Sequence, residues 1–167
     1  YAREALDCLP ESNVSYRAFA ITNMGTALRR LGNMREAQQA FDEAIALGDA
    51  AGNRPIVMWA LYMLVVLHWW QVQPQEVIKT SERVLRMCEQ YEREQVLVAG
   101  LCQILISLMR YELNDLDGAE ERAIAGIEIV RLSTEQFVLM NGYICLANIY
   151  QVRGEAAAAF DMLDRAE

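Results

Sequence analysis

The sequence predicts an all-α fold, a right-handed superhelical array of antiparallel helix hairpins, each 40–42 residues long. Three observations predict it. Only 9 glycines and 3 prolines interrupt the 167 residues, and good helix formers (Ala, Leu, Glu, Arg, Met, Gln) are abundant. Four stretches then align without gaps: "MGTALRRLGNMREAQQAFDEAI" (24–45), "LVVLHWWQVQPQEVIKTSERVL" (64–85), "ISLMRYELNDLDGAEERAIAGI" (106–127) and "LANIYQVRGEAAAAFDMLDRAE" (146–167). Finally, the marker residues Ala37, Val77, Ala119 and Ala159, early in each second helix, recur at spacings of 40, 42 and 40.

Taken in order, residues 1–12 ("YAREALDCLP" and its end) read as part of a second helix whose partner precedes it. The first full hairpin spans 15–50, with Gly32 as the left-handed residue that closes its first helix. "GDAAGNRP" (48–55) reads as the break before the second hairpin, 54–92. There Val72 stands where a glycine belongs, and Pro74 opens the second helix. The third hairpin, 94–132, turns at Asn114, the best non-glycine substitute in the left-handed region. "STEQ" (133–136) reads as a capping box, with Ser133 as cap and Gln136 reaching back. The last hairpin, 134–167, turns at Gly154, so residues 1–167 form one solenoid.

Charge and cysteine usage exclude several function classes. The net charge of −8 opposes a phosphate-binding surface, so no nucleic acid contact is expected. Cys8, Cys88, Cys102 and Cys145 are scattered and there is one histidine, which gives neither zinc spacing nor a disulfide framework. Buried free thiols in a reducing cytoplasm are the expectation, with no metal site. The apolar run "IVMWALYMLVVLHWW" (56–70) has 15 residues, short of the ~20 that cross a bilayer. With one histidine there is no Ser/His/Asp set, and "NDLDGAEE" is only superficially a calcium loop, because its glycine follows Asp117 directly. No catalysis is expected.

Small residues recur where hairpins must approach: Gly25 and Ala147 in first helices, Ala37, Ala119 and Ala159 in second ones. Bulky ones recur between them at Leu28, Phe41 and Tyr150. This is similar to the tetratricopeptide pattern, in which a small residue on one helix receives a large one from its partner. The units here are longer than the usual ~34 residues. In phrasing, "ALDCLPES" and "NDLDGAEERAIAGIEI", and more broadly Ala2 to Glu167, resemble the sensor region of large LuxR-type, MalT-like bacterial transcriptional regulators. The resemblance implies a parent protein with an ATP-dependent switch module before the repeats and a helix-turn-helix module after them. It implies a repeat region that receives a small-molecule inducer or a regulatory protein. ATP and DNA binding belong to that implied parent, and no cofactor is expected in this segment, which lacks a G-x-x-x-x-G-K-[ST] loop.

First helices line the inner face of such an array. At about 100° per residue, Trp59, Tyr62, Val66, Trp69 and Trp70 fall within an arc of roughly 100°. Leu61, Leu64, Val65, His68 and Val72 lie opposite, toward the hairpin partner, with His68 a core histidine. The same register puts Phe19, Thr22, Thr26, Arg29 and Arg30 on the groove side of the first hairpin. Leu101, Ile104, Leu108, Tyr111 and Glu112 follow in the third, and Asn141, Ile144, Asn148 and Gln151 in the fourth. The candidate binding residues are therefore Arg29, Arg30, Trp59, Tyr62, Trp69, Trp70, Tyr111 and Asn148. Aromatic faces suit sugar rings and apolar groups, and arginines suit carboxylates, so a small polar ligand or an extended peptide both fit. Because Ala60, Met63 and Leu67 fill the remaining arc, the same aromatics also read as packing or a self-association surface.

Overall fold

The computed structural model describes residues 2–89, 96–131 and 136–166, and among these residues every regular element is a helix. In chain order they are α1 (Ala2–Cys8), α2 (Val14–Arg30), α3 (Met34–Ala50), α4 (Arg54–Trp70), α5 (Pro74–Cys88), α6 (Val96–Glu112), α7 (Leu116–Val130), α8 (Gln136–Val152) and α9 (Ala156–Ala166). The expected capping box begins at Ser133, and this part of it lies outside the described residues.

One turn recurs with little variation. At Gly32, Gly52, Val72, Asn114 and Gly154 the backbone enters the left-handed region, with φ of 83°, 63°, 55°, 61° and 77°. Each donates its N–H to the carbonyl three residues back, and the next residue donates to the carbonyl five back, as in Gly32→Arg29 and Asn33→Leu28. This paired closure satisfies carbonyls that the helix end leaves open. A polar residue follows at once and begins the next helix: the Asn53 side chain accepts from the Ile56 N–H at 3.3 Å, and Asp115 accepts from Gly118 N–H at 3.1 Å. Three-residue turns thus separate 17-residue helices, and α2, α3, α4 and α5 start 20 residues apart. The break expected over 48–55 is therefore narrower, because α3 continues through Gly48 to Ala50. Gly48 is no loop-former. A Cβ there would meet Val57 at 2.8 Å and Ile56 at 2.9 Å, so its hydrogen lets α3 and α4 touch.

The chain divides into two compact units, residues 1–73 and 74–167. In the first, α1 packs on α2, α2 on α3 and α4, and α3 on α4. The small-into-large arrangement is explicit here: Phe41, fully buried, lies where a Cβ on Gly25 would stand 2.7 Å from its ring. Ala18, Ile21, Ala37, Ala44, Val57, Met58, Leu61 and Val65 fill the rest of this interior. His68 is buried with its Nδ1 2.9 Å from the Gln73 side-chain oxygen, so the core imidazole has a polar partner. Val72 departs from its expected place on the hairpin side. It sits beyond the end of α4 at the left-handed position and is 84% exposed.

In the second unit α5 packs on α6, α6 on α7 and α8, α7 on α8, and α8 on α9. Ile104, Ala119, Ala123, Ile127, Val138, Leu146 and Ile149 belong to one core cluster. Cys102 and Cys145 are buried, and burial pushes their thiols up to about 12 and about 11, so both are protonated at neutral pH. The expectation of buried thiols fails at Cys8, which is exposed on α1, and Cys88 is half-buried.

Among the described residues Val72 is the one β-branched residue forced into the left-handed turn, where such side chains cost roughly 1–2 kcal/mol. Glycine there loses some of that gain to unfolded-state entropy. Val72→Gly is expected to raise stability by about 0.5–1 kcal/mol, read as a higher urea midpoint at unchanged slope.

Candidate functional site

Six of the eight expected binding residues lie in the first unit, on the paired helices α2 and α4. Their period places equivalent positions 40 residues apart: Phe19 with Trp59, Thr22 with Tyr62, Thr26 with Val66, Arg29 with Trp69, and Arg30 with Trp70. Most of α4 is buried, including Ala60, Leu61, Met63, Leu64, Val65 and Leu67. What remains open is the aromatic arc, with Trp59 at 40%, Trp69 at 41% and Trp70 at 60% exposure, and Tyr62 half-buried between them. Trp59 and Tyr62 pair with ring centroids 5.7 Å apart and planes tilted by 36°. Trp69 and Trp70 meet edge to face at 6.1 Å and 74°. Both arrangements suit the aromatic quadrupole.

The arginines come from the last turn of α2, where a cation complements the carbonyl end of the helix. The Arg29 guanidinium carbon lies 5.7 Å from the Trp70 ring centroid, a cation–π contact worth about 0.5–1 kcal/mol at an exposed site. Its Nε is buried without a hydrogen-bond partner. Burial first, and then the neighbouring Arg30 charge, lower the Arg29 pKa from its ordinary value, while Tyr62 acts in the opposite direction. Gln71, directly after Trp70, likewise has a buried side-chain oxygen without a hydrogen-bond partner. Arg30 is exposed.

Not every position expected on the open side is open. Thr22 is buried, with its hydroxyl donating to the Ala18 carbonyl at 2.8 Å. Ile104 is also buried, since glycines on the facing helices admit it: a Cβ on Gly126 would stand 2.7 Å from it and one on Gly142 3.4 Å. In the second unit, Tyr111 is half-buried against the core cluster and Asn148 is half-buried on α8.

Two features escaped sequence reasoning. A cavity of about 370 Å³ is lined by Ser15, Tyr16, Phe19, Asn53 and Ile56, at the N-terminal ends of α2 and α4. The 40-residue register pairs Tyr16 with Ile56, and that was the available signal. The second feature ties α8 to α7. Arg153 bonds Glu120 and Asp117, both at 2.5 Å, and the Tyr150 hydroxyl donates to Glu120 at 2.8 Å. Nothing in residue spacing marks that cluster, because its members come from different hairpins. The run "NDLDGAEE" proves to be a helix start: Asp115 caps α7 and accepts from Arg110 at 2.9 Å, and Gly118 leaves room for that pair. Among the described residues no group of His, Cys, Asp and Glu has the arrangement of a metal site, and no helix is long and apolar enough to cross a membrane.

Comparison with known proteins follows the same architecture. The family described as the MalT-like TPR region matches residues 1–167, the whole chain. No curated protein matches the sequence significantly. Among 48 matching chains of solved structures is BtubC (BKLC) from P. vanneervenii, 18% identical, with a TM-score of 0.84 over 99% of this chain and 68% of that one. At that identity the likeness is one of fold: a helical repeat shared across divergent sequences.

The Arg153–Glu120 pair gives the second unit an acid-sensitive tie. The Arg153 hydrogen bond holds the Glu120 carboxyl below its ordinary value, against the effect of burial. A depressed carboxyl stabilises the fold fully above the unfolded Glu value of about 4.3, and that contribution is lost as pH falls through the lower folded value. Glu120→Gln is therefore expected to lower the thermal midpoint at pH 7 and to flatten its fall below about pH 4, measured by circular dichroism across pH.

Proposed function

The chain belongs to the family of MalT-like TPR regions, and from that premise we propose that it is the ligand- or partner-sensing arm of a bacterial transcriptional regulator. The observation that carries this reading is the α2–α4 face, where four open or half-open aromatic rings on the largely buried α4 stand beside two arginines at the end of α2. A rigid scaffold that spends three of its three tryptophans on one face has a recognition surface there. An inducer or a controlling protein binds this face and favours one of two arrangements of the array. An ATP-dependent switch and a DNA-binding module, carried elsewhere in the parent, respond to that change. The segment itself needs no cofactor, contacts no nucleic acid, performs no catalysis and works in the cytoplasm.

Thermal shift and calorimetry against sugars, amino-acid derivatives and aromatic metabolites test the reading. A binder should raise the midpoint, and Trp69→Ala and Arg29→Ala should each weaken it at least tenfold and blunt induction of the parent's target genes. Unchanged induction in both variants would sink the sensing role of this face.

A second reading rests on the exposed aromatics Tyr16, Phe19, Trp59, Trp69 and Trp70, which also suit self-association as a generic interaction scaffold. It predicts a dimer in sedimentation that Trp70→Glu dissociates. A monomer at all concentrations removes this alternative.

A further inference from the structure

Charge is divided between helices in a way the net value hides. The chain has 23 acidic residues against 15 basic ones, yet neither α2 nor α4 contains a single Asp or Glu. Across these two helices the charged residues are Arg17, Arg29, Arg30 and Arg54, with His68 buried. Arg17 is committed, donating to the Leu6 and Leu9 carbonyls, and Arg54 pairs with Asp49. Arg29 and Arg30 have no carboxylate partner among the described residues, and they stand beside the tryptophans. In a chain of net charge −8, two helices that carry arginines and no acid of their own, with Arg29 and Arg30 beside the tryptophans, are complementary to a negative ligand. The carbonyl ends of α2 and α4 work weakly against an anion, by less than charge-assisted bonds from two guanidiniums supply.

Shape selects among anions. Small molecules sit in concavities that bury most of their surface. The aromatic rings and Arg29 instead form an open row that runs toward the C-terminal ends of the two helices, and the cavity of about 370 Å³ lies at their N-terminal ends, near Trp59 but away from Arg29 and Trp70. Seventeen residues of helix are roughly 25 Å long, the span of about eight residues of extended chain.

From this charge complementarity and this shape we infer that the α2–α4 face docks an acidic, extended segment of a partner protein. Its carboxylates meet Arg29 and Arg30, and its apolar side chains lie along Trp59, Tyr62, Trp69 and Trp70. The inference rests on the reading of this face as the sensing surface and names the chemistry of what it receives.

The tryptophans supply their own readout, since all three belong to α4 and no other residue contributes indole fluorescence. The probe is a peptide of about eight residues with a Leu/Phe stretch followed by two glutamates. Its control is the same peptide with two lysines in their place. The glutamate peptide is expected to change the fluorescence saturably, to bind at least tenfold more tightly than the lysine peptide, and to weaken several-fold as salt rises from about 50 to about 300 mM. Arg30→Glu, at an exposed position that the fold does not need, should reverse the preference between the two peptides. Arg165→Ala, whose side chain pairs with Asp161 on α9, should leave binding unchanged. Equal binding of both peptides, or binding of neither, overturns the inference. A small aromatic carboxylate that saturates the signal while the peptides do not overturns it as well, yet leaves the sensing role of the face intact. Failure of every ligand together with unchanged induction in Trp69→Ala and Arg29→Ala removes both.

Discussion

A helix end with one left-handed residue carries most of what is distinctive in this chain. At Gly32, Gly52, Val72, Asn114 and Gly154 the backbone takes positive φ, two carbonyls of the finished helix are capped by the next two N–H groups, and the helix is closed within three residues. Because the same closure serves turns within hairpins and the turn between the first two, helices from α2 to α5 start at a constant 20-residue interval. That interval is why residues 40 apart occupy equivalent positions on α2 and α4, and why Arg29 can reach the ring of Trp70. The extra two residues of the 42-residue spacing enter between the starts of α5 and α6, at 74 and 96, and the 20-residue interval resumes afterwards.

Given that frame, packing needs little more than size alternation. Gly25 accepts Phe41, Gly48 accepts Val57, and Gly126 accepts Ile104. These contacts leave no room for a methyl group, so the helices approach more closely than ordinary side chains allow. The polar contacts between helices are fewer and local. Arg153 with Glu120 and Asp117 joins α8 to α7, and Arg122 with Gln103 joins α7 to α6. They select partners and orientation, while apolar burial supplies the driving force.

The aromatic face belongs to a different layer of the design. Burying three tryptophans would have added core, but their exposures of 40–60% keep much of that surface in water. The absence of acids on α2 and α4 keeps the adjoining arginines unneutralised. Both features leave apolar surface and positive charge uncompensated within the isolated domain.

Much of this was legible from residues alone. Positive-φ positions announce themselves as Gly or Asn at a fixed phase, and Val72 was found because the phase demanded a turn there despite its side chain. The division of α4 into buried and open arcs follows from a period of 3.6 residues and the placement of its aromatics. Spacing failed where the outcome depends on a second helix. Gly48 looks like a loop residue until Val57 is seen against it, and Ile104 looks groove-facing until the glycines of α7 and α8 are seen to admit it. The Arg153–Glu120–Tyr150 cluster joins residues about 30 apart whose chemistry marks no shared site. The sequence by itself determined the helices, their turns and their repeat, because those depend on local backbone energetics and periodicity. Only the tertiary structure decided which faces stay open and which charges stay unpaired, because burial and ion pairing are properties of neighbours that the chain order does not list.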